Sequence, residues 1–121
     1  EKGIERFMHK LGTSYTNYFN TKNTRDGVLF QGKFKAIHIK SNAKLLHLSA
    51  YINMNNFIHG YRSKDWEYSS LPDYLGKRDN KLCNKKIILG QFRRKSEYKK
   101  FAEENALYMK ERKEEEKYLL E

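Results

Sequence analysis

The sequence has few of the features that mark a secreted or membrane protein. It contains one cysteine, Cys83, which excludes an internal disulfide framework and CxxC-type zinc sites and suits a reducing compartment. No apolar run approaches the ~20 residues that a membrane span needs, so no membrane contact is predicted. The charged start EKGIERFMHK has no apolar stretch of the kind that a signal peptide carries. We therefore expect a cytoplasmic protein.

Recognisable metal and nucleotide motifs are also missing. The four histidines are His9, His38, His47 and His59, and none of them lies in an HxH, HxxxH or HExxH arrangement. Each is therefore interpreted as a surface histidine or one satisfied by its neighbours. No GxxxxGK sequence is present, so no Walker-type phosphate loop is predicted.

What the sequence does have is positive charge and aromatic rings. Residues 1–102 carry a net charge of +13, and residues 103–121 carry a net charge of −3. Aromatic residues make up 14% of the chain, which argues against full disorder. A cationic surface of this kind favours polyanions, and nucleic acid is the partner we expect. The alternatives are a surface that only keeps the protein soluble and an acidic protein as partner.

The apolar pattern predicts a mostly helical chain. Apolar residues recur at spacings of three and four over 4–19 and again over about 43–55, where Ser41 or Asn42 can cap the helix. Further helices are expected through LPDYLG, KKIILGQF and the C-terminal stretch from residue 96. Residues 33–39 instead alternate with a period of two and predict a strand. A strand must pair, so its partner is either Val28–Phe30 or a sheet outside this sequence.

Tyr51 and Asn55 form the first candidate site. They are four residues apart in LSAYINMNN, so a helix would place them on one face. A tyrosine hydroxyl can attack a phosphodiester and store the bond energy as a phosphotyrosine, while a nearby amide binds a metal or orients the phosphate. The alternative is a packed tyrosine near the frayed end of a helix, and spacing alone favours that alternative.

The stretch FQGKFKAIHIK forms the second candidate site. It interleaves Lys33, Lys35 and Lys40 with Phe34 and Ile37. Single-stranded nucleic acid binds such surfaces, with phosphates on the lysines and bases on the rings. An ordinary amphipathic strand with a solvated lysine face accounts for the pattern equally well.

Taken in order, several stretches resemble the single-tyrosine transposases of the HUH superfamily, in particular the REP-associated tyrosine transposases. The matching stretches are RFMHKLGTSYTNYFN, GVLFQGKFKAIHI, LLHLSAYINMNN, WEYSSLPDYLG and KKIILGQFRRKSEYKKFAEE. The resemblance covers nearly the whole chain. It implies an α+β fold: the C-terminal part of a ferredoxin-like domain over residues 1–76, with one or two strands, followed by a helical extension over 77–121.

The resemblance also implies a function. Tyr51 corresponds to the nucleophile that cleaves single-stranded or hairpin DNA, leaving a 5′-phosphotyrosine and a free 3′-hydroxyl. Asn55 corresponds to an amide that helps bind Mg²⁺ or Mn²⁺. Expected partners are the DNA and a second subunit in a homodimer, in a prokaryotic cytoplasm near the nucleoid. The residues expected to contact DNA are Arg25, Gln31, Lys33, Phe34, Lys35 and Lys40.

The sequence departs from the family at the metal site. The family uses two histidines that flank one apolar residue on a strand before the first helix, and no such triplet is present here. We therefore expect the chain to be the C-terminal portion of a longer transposase and to be inactive alone. The runner-up interpretation is a non-catalytic nucleic-acid-binding module derived from such a transposase. A helical interaction domain, based on the acidic C-terminal helix, is a third.

Overall fold

The computed structural model describes residues 2–61 and 67–119, with side chains as far as Lys117. The described residues form six helices, and none of these is long and apolar enough to cross a membrane. The helices are α1 (Gly3–Lys22), α2 (Asn42–Asn53), α3 (Asn55–Ile58), α4 (Leu71–Tyr74), α5 (Lys86–Leu89) and α6 (Lys95–Leu119). The chain divides into two compact units, Glu1–His38 and Ile39–Glu121. The predicted boundary after residue 76 falls inside the second unit.

The predicted α+β, ferredoxin-like fold is wrong, because the described residues contain helices and no strand. Residues 33–39, which carry the period-two pattern, form a bend followed by irregular chain. Their candidate partner, Val28–Phe30, lies between Gly27 and Gly32, whose φ angles are +90° and +81°. These two turns bend the segment instead of extending it. Since a strand is stable only with a paired neighbour, the alternating pattern alone does not produce one here.

The first unit consists of α1 and the segment that follows it. Arg25 fixes the turn after α1: its guanidinium donates to Asn20 Oδ1 at 3.1 Å and to the Val28 carbonyl at 3.2 Å. The Asn20 amide in turn donates to the Gly27 carbonyl at 2.9 Å. Helix α1 itself buries none of its residues. The unit is therefore held by this polar turn and by ring contacts rather than by a buried core.

The second unit has a core between α2 and α6. Ala50 on α2 and Ala102 and Ala106 on α6 are fully buried, and their small side chains let the two helices approach closely. Tyr98 on α6 is also fully buried, among the rings of Tyr74 and Phe92. Helices α3 and α5 complete the packing around this pair, contributing Ile58 and Ile88 to the core.

The start of α2 confirms one prediction made from the sequence. The Ser41 hydroxyl accepts a hydrogen bond from the Lys44 backbone N–H at 3.3 Å, so Ser41 is the N-cap. The helix ends at Asn53, slightly earlier than the predicted 55, and Met54 joins it to α3.

Two buried polar groups hold α4 in place, Asn53 at its start and Asp73 within it. Asn53 donates to the Tyr98 hydroxyl at 2.7 Å and accepts from the Ser70 hydroxyl at 2.5 Å. Asp73, 1% exposed, accepts from the Arg78 guanidinium and from the Asn80 backbone N–H at 2.7 Å. The hydrogen bonds from Arg78 hold the pKa of Asp73 below its ordinary value. Both side chains are thus satisfied within the fold and are structural.

Candidate functional site

A groove runs between α1 and the segment that follows it, within the first unit. Its volume is about 1170 Å³. The walls are apolar and aromatic: Tyr15 projects from α1 and lies 6.2 Å, centroid to centroid, from the ring of Phe30. Helix α1 exposes five large apolar side chains, each between 48 and 59% exposed, of which Leu11 and Tyr15 line the groove: Ile4, Phe7, Leu11, Tyr15 and Tyr18. An open groove with exposed rings can accept flat ligands such as nucleobases.

Three of the six residues predicted to contact DNA line this groove. They are Gln31, Lys33 and Phe34. Lys35 and Lys40 are exposed but lie outside the groove lining. The Arg25 guanidinium is occupied by its bonds within the turn and lies over the Phe19 ring at 5.8 Å. The structure therefore brings together one lysine, one amide and one ring of the predicted set.

Tyr51 lies near the end of α2, in the second unit, and is partly exposed. Its hydroxyl oxygen is 3.1 Å from Nε2 of His59, which directly follows α3. The two rings meet edge to face, with centroids 6.1 Å apart and planes at 74°. The Tyr51 ring also packs against the core of the second unit, so its hydroxyl is held half-buried with a defined hydrogen-bond partner.

His59 also makes a hydrogen bond to a side chain of α6. Its Nδ1 atom is a hydrogen-bond partner of the Lys113 ammonium group. The ring also has an aromatic neighbour, because Tyr61 stacks on it at 6.2 Å with planes 20° apart. One turn before Lys113 on the same helix, Lys110 lies 5.0 Å over the Phe57 ring. Two ammonium groups therefore stand close to the short helix that positions His59.

Asn55, the predicted metal-binding amide, begins α3 and is half-buried. Because α2 ends between Tyr51 and Asn55, the two residues belong to successive helices rather than to one. Among the described residues, no group of three or more His, Cys, Asp or Glu side chains is placed to hold a metal ion. A single amide oxygen is too small a ligand set for Mg²⁺ or Mn²⁺, so these residues do not by themselves fit the implied ion.

Two residues of the Tyr51 site, His59 and Lys113, are not predicted by the sequence. The histidine pattern indicates only an ordinary surface residue at His59. His59 lies four residues after Asn55, which itself lies four residues after Tyr51. This regular spacing is the signal in the sequence that could have indicated His59. Lys113 is 54 residues from His59, and only the packing of α6 against α2 and α3 brings it near. No local sequence pattern indicates it.

Comparison with known proteins adds no relative. No protein-family model matches the chain, and no significant match is found among curated proteins or solved structures. The resemblance to the tyrosine transposases therefore stays a prediction, and the function must be inferred from the groove of the first unit and the Tyr51 cluster of the second.

Proposed function

We propose that the chain is part of a DNA transposase that binds single-stranded or hairpin DNA and attacks it with Tyr51. The observation that carries the proposal is the hydroxyl of the half-buried Tyr51, 3.1 Å from His59 Nε2, on a cationic chain. The protein would act in the cytoplasm of a prokaryote, at the nucleoid. A homodimer is part of the proposal, since the family resemblance implies one.

The proposed reaction exchanges one phosphodiester for another. The Tyr51 oxygen attacks the phosphorus atom of the scissile link, and the phenolic proton passes to water. The bond from phosphorus to the 3′-oxygen breaks, and that oxygen takes up a proton to become a free 3′-hydroxyl. The product is a 5′-phosphotyrosine, whose energy is close to that of the starting bond. A 3′-hydroxyl of another strand can then attack it and release Tyr51.

A divalent cation would neutralise charge on the phosphate during this exchange. The family resemblance implies Mg²⁺ or Mn²⁺, with Asn55 as one ligand. The part of the chain that the structure describes holds no group of three or more His, Cys, Asp or Glu side chains that could complete the coordination of that ion. The side chains of this chain therefore contribute nucleophilic attack by Tyr51 and positive charge from Lys110 and Lys113.

The groove of the first unit supports the DNA-binding half of the proposal. Tyr15, Phe30 and Phe34 offer ring faces on which bases can stack, and Lys33 offers a charge for a phosphate. Stacking of this kind tolerates any base sequence, because every base has a flat face. The groove is thus suited to unpaired nucleotides rather than to the edges of paired bases.

The test is a cleavage assay with the full-length gene product that contains this chain, using a single-stranded hairpin DNA and Mg²⁺. We expect a covalent protein–DNA adduct that is lost in Tyr51→Phe. The matched control is Tyr61→Phe, which removes a neighbouring hydroxyl and should leave the adduct in place. An adduct that persists in Tyr51→Phe would reject Tyr51 as the nucleophile.

A second candidate function is nucleic-acid binding without cleavage. The groove favours it, because its rings and Lys33 need no metal to bind a strand. Binding should weaken steeply as salt rises, and Lys33→Gln should reduce the slope of log affinity against log salt by about one. Strong salt-dependent binding, combined with no adduct for the full-length product, would favour this function over the transposase.

A further inference from the structure

We propose that His59 is a second catalytic residue, which donates a hydrogen bond to the Tyr51 oxygen and stabilises its negative charge, and that Lys113 positions it. This inference rests on the proposed function, since it assigns a role within the Tyr51 reaction. The observation behind it is a continuous chain of contacts from Lys113 Nζ to His59 Nδ1 and from His59 Nε2 to Tyr51 Oη.

The direction of the hydrogen bonds follows from the chemistry of Lys113. An ammonium group has three donors and no acceptor, so the His59 Nδ1 atom must accept its hydrogen bond. A neutral imidazole with an unprotonated Nδ1 carries its proton on Nε2. Nε2 is the atom 3.1 Å from the Tyr51 oxygen, so His59 donates to that oxygen. His59 therefore does not accept the phenolic proton.

The ring of His59 is held from several sides. The Tyr51 ring meets it edge to face, and the Tyr61 ring stacks on it. Its backbone N–H donates to the Asn55 carbonyl at 3.0 Å, which ties the residue to the end of α3. Helix α6, which carries Lys113, packs against α2 and α3. A donor fixed in this way needs little reorganisation when charge develops on its acceptor.

The hydrogen bond from His59 matters while the phenolic oxygen of Tyr51 carries negative charge. During attack, Tyr51 has given its proton to water and its oxygen carries charge until the bond to phosphorus forms. During rejoining, the incoming 3′-hydroxyl gives up its proton to water, and the Tyr51 oxygen leaves with the electron pair of the broken bond. Both directions pass through the same charged oxygen, so one donor accelerates both.

The first arm of the test does not involve activity. Long-range ¹H–¹⁵N spectra of the chain should show His59 with a protonated Nε2 and an unprotonated Nδ1. Lys113→Met should shift the tautomer population towards a protonated Nδ1, whereas Lys117→Met, one turn further along α6, should leave it unchanged. A protonated Nδ1 in the unchanged protein, or an unchanged tautomer population in Lys113→Met, would overturn the assignment.

The second arm measures rates in the full-length gene product. His59→Leu should slow both adduct formation and rejoining by about 100-fold or more, as is typical when one such donor is lost. His59→Gln keeps an N–H donor and should recover part of the rate, and hairpin binding should not change in either variant. Recovery with Gln separates the donor role from a packing role, because both variants lose the imidazole.

The outcomes separate this inference from the proposed function. If Tyr51→Phe keeps the adduct, the proposed function fails and the role of His59 fails with it. If Tyr51→Phe loses the adduct while His59→Leu keeps both rates, only the role of His59 is overturned. Equal loss in His59→Leu and His59→Gln, with an unchanged melting temperature, would also overturn the donor role.

Discussion

The aromatic side chains of α1 are mostly exposed, whereas the second unit buries Tyr98 within a cluster of rings and exposes others such as Tyr61 and Tyr108. On α1, Phe7, Tyr15 and Tyr18 are 59, 48 and 59% exposed, and the helix buries no residue at all. On α6, Tyr98 is fully buried and forms the centre of a ring cluster. Since burial of an aromatic ring is a large stabilising contribution, the two sets of rings serve different purposes. The buried set holds the second unit together, and the exposed set is free to meet a ligand.

The largest expected effect is that of removing the central buried ring. Tyr98→Ala should lower the free energy of unfolding of the second unit by about 3–5 kcal/mol, because it empties the core and removes the partner of Asn53. Urea denaturation followed by circular dichroism measures the change. The matched control is Tyr18→Ala in the exposed set, which should cost no more than about 0.5 kcal/mol. Equal costs at the two positions would refute the contrast between the units.

A smaller loss is expected at Asn53, where the buried amide joins α2 to α6 and to the start of α4. Asn53→Ala should cost about 1–3 kcal/mol, since it leaves the buried Tyr98 hydroxyl with a weaker set of partners. The same denaturation measurement applies, with Asn56→Ala as the control. If the two substitutions lower the free energy of unfolding equally, the hydrogen bonds of Asn53 do not stabilise the second unit.

Substitution of a ring in the groove of the first unit should change DNA binding rather than stability. Phe34→Ala should weaken single-stranded DNA binding by about 5- to 150-fold, the range that corresponds to ~1–3 kcal/mol of stacking per base. Fluorescence anisotropy with a labelled oligonucleotide measures it. Ile37→Ala is the control, because Ile37 is 80% exposed in the same unit but lies outside the groove. A similar loss in both variants would argue against the groove as the binding site.

The smallest of these effects near neutral pH should be the loss of folding stability in acid. The pKa of Asp73 is held below its ordinary value by Arg78, so the carboxylate stabilises the fold above the unfolded pKa of about 4. That contribution is lost as the pH falls through the lower folded pKa. Urea unfolding at a series of pH values should show the fall, and Asp73→Asn should flatten it. Asp79→Asn, at an exposed position, should not.

Much of the helical framework could be predicted from sequence, because it depends on local signals. The Ser41 cap and the apolar spacing of α2 are both local, and the structure places the helix within two residues of the expectation. The predicted strand at 33–39 is wrong for the opposite reason. Alternation indicates a half-buried strand only when a partner is present, and Gly27 and Gly32 bend the one candidate partner within this sequence, Val28–Phe30.

The candidate site also combines residues that the sequence indicates with residues that only the packing of helices brings together. The spacing of Tyr51 and Asn55 makes Tyr51 a candidate, but only the resemblance to the transposases implies its role as the nucleophile. Asn53, unexplained by its sequence context, bonds a tyrosine 45 residues away. Lys113 reaches His59 across a similar distance in sequence. Contacts of this kind are made by the packing of α2 and α3 against α6, so they become visible only once the fold is known.

The central claim is that the Tyr51 oxygen becomes covalently attached to DNA. The most direct measurement is peptide mass spectrometry of the adduct formed by the full-length gene product with a 3′-labelled hairpin, after trypsin and nuclease digestion. The account predicts a nucleotide attached through a 5′-phosphate to Tyr51 in the tryptic peptide that follows Lys44. A nucleotide attached to any other residue, or a modified peptide that persists in Tyr51→Phe, would contradict it.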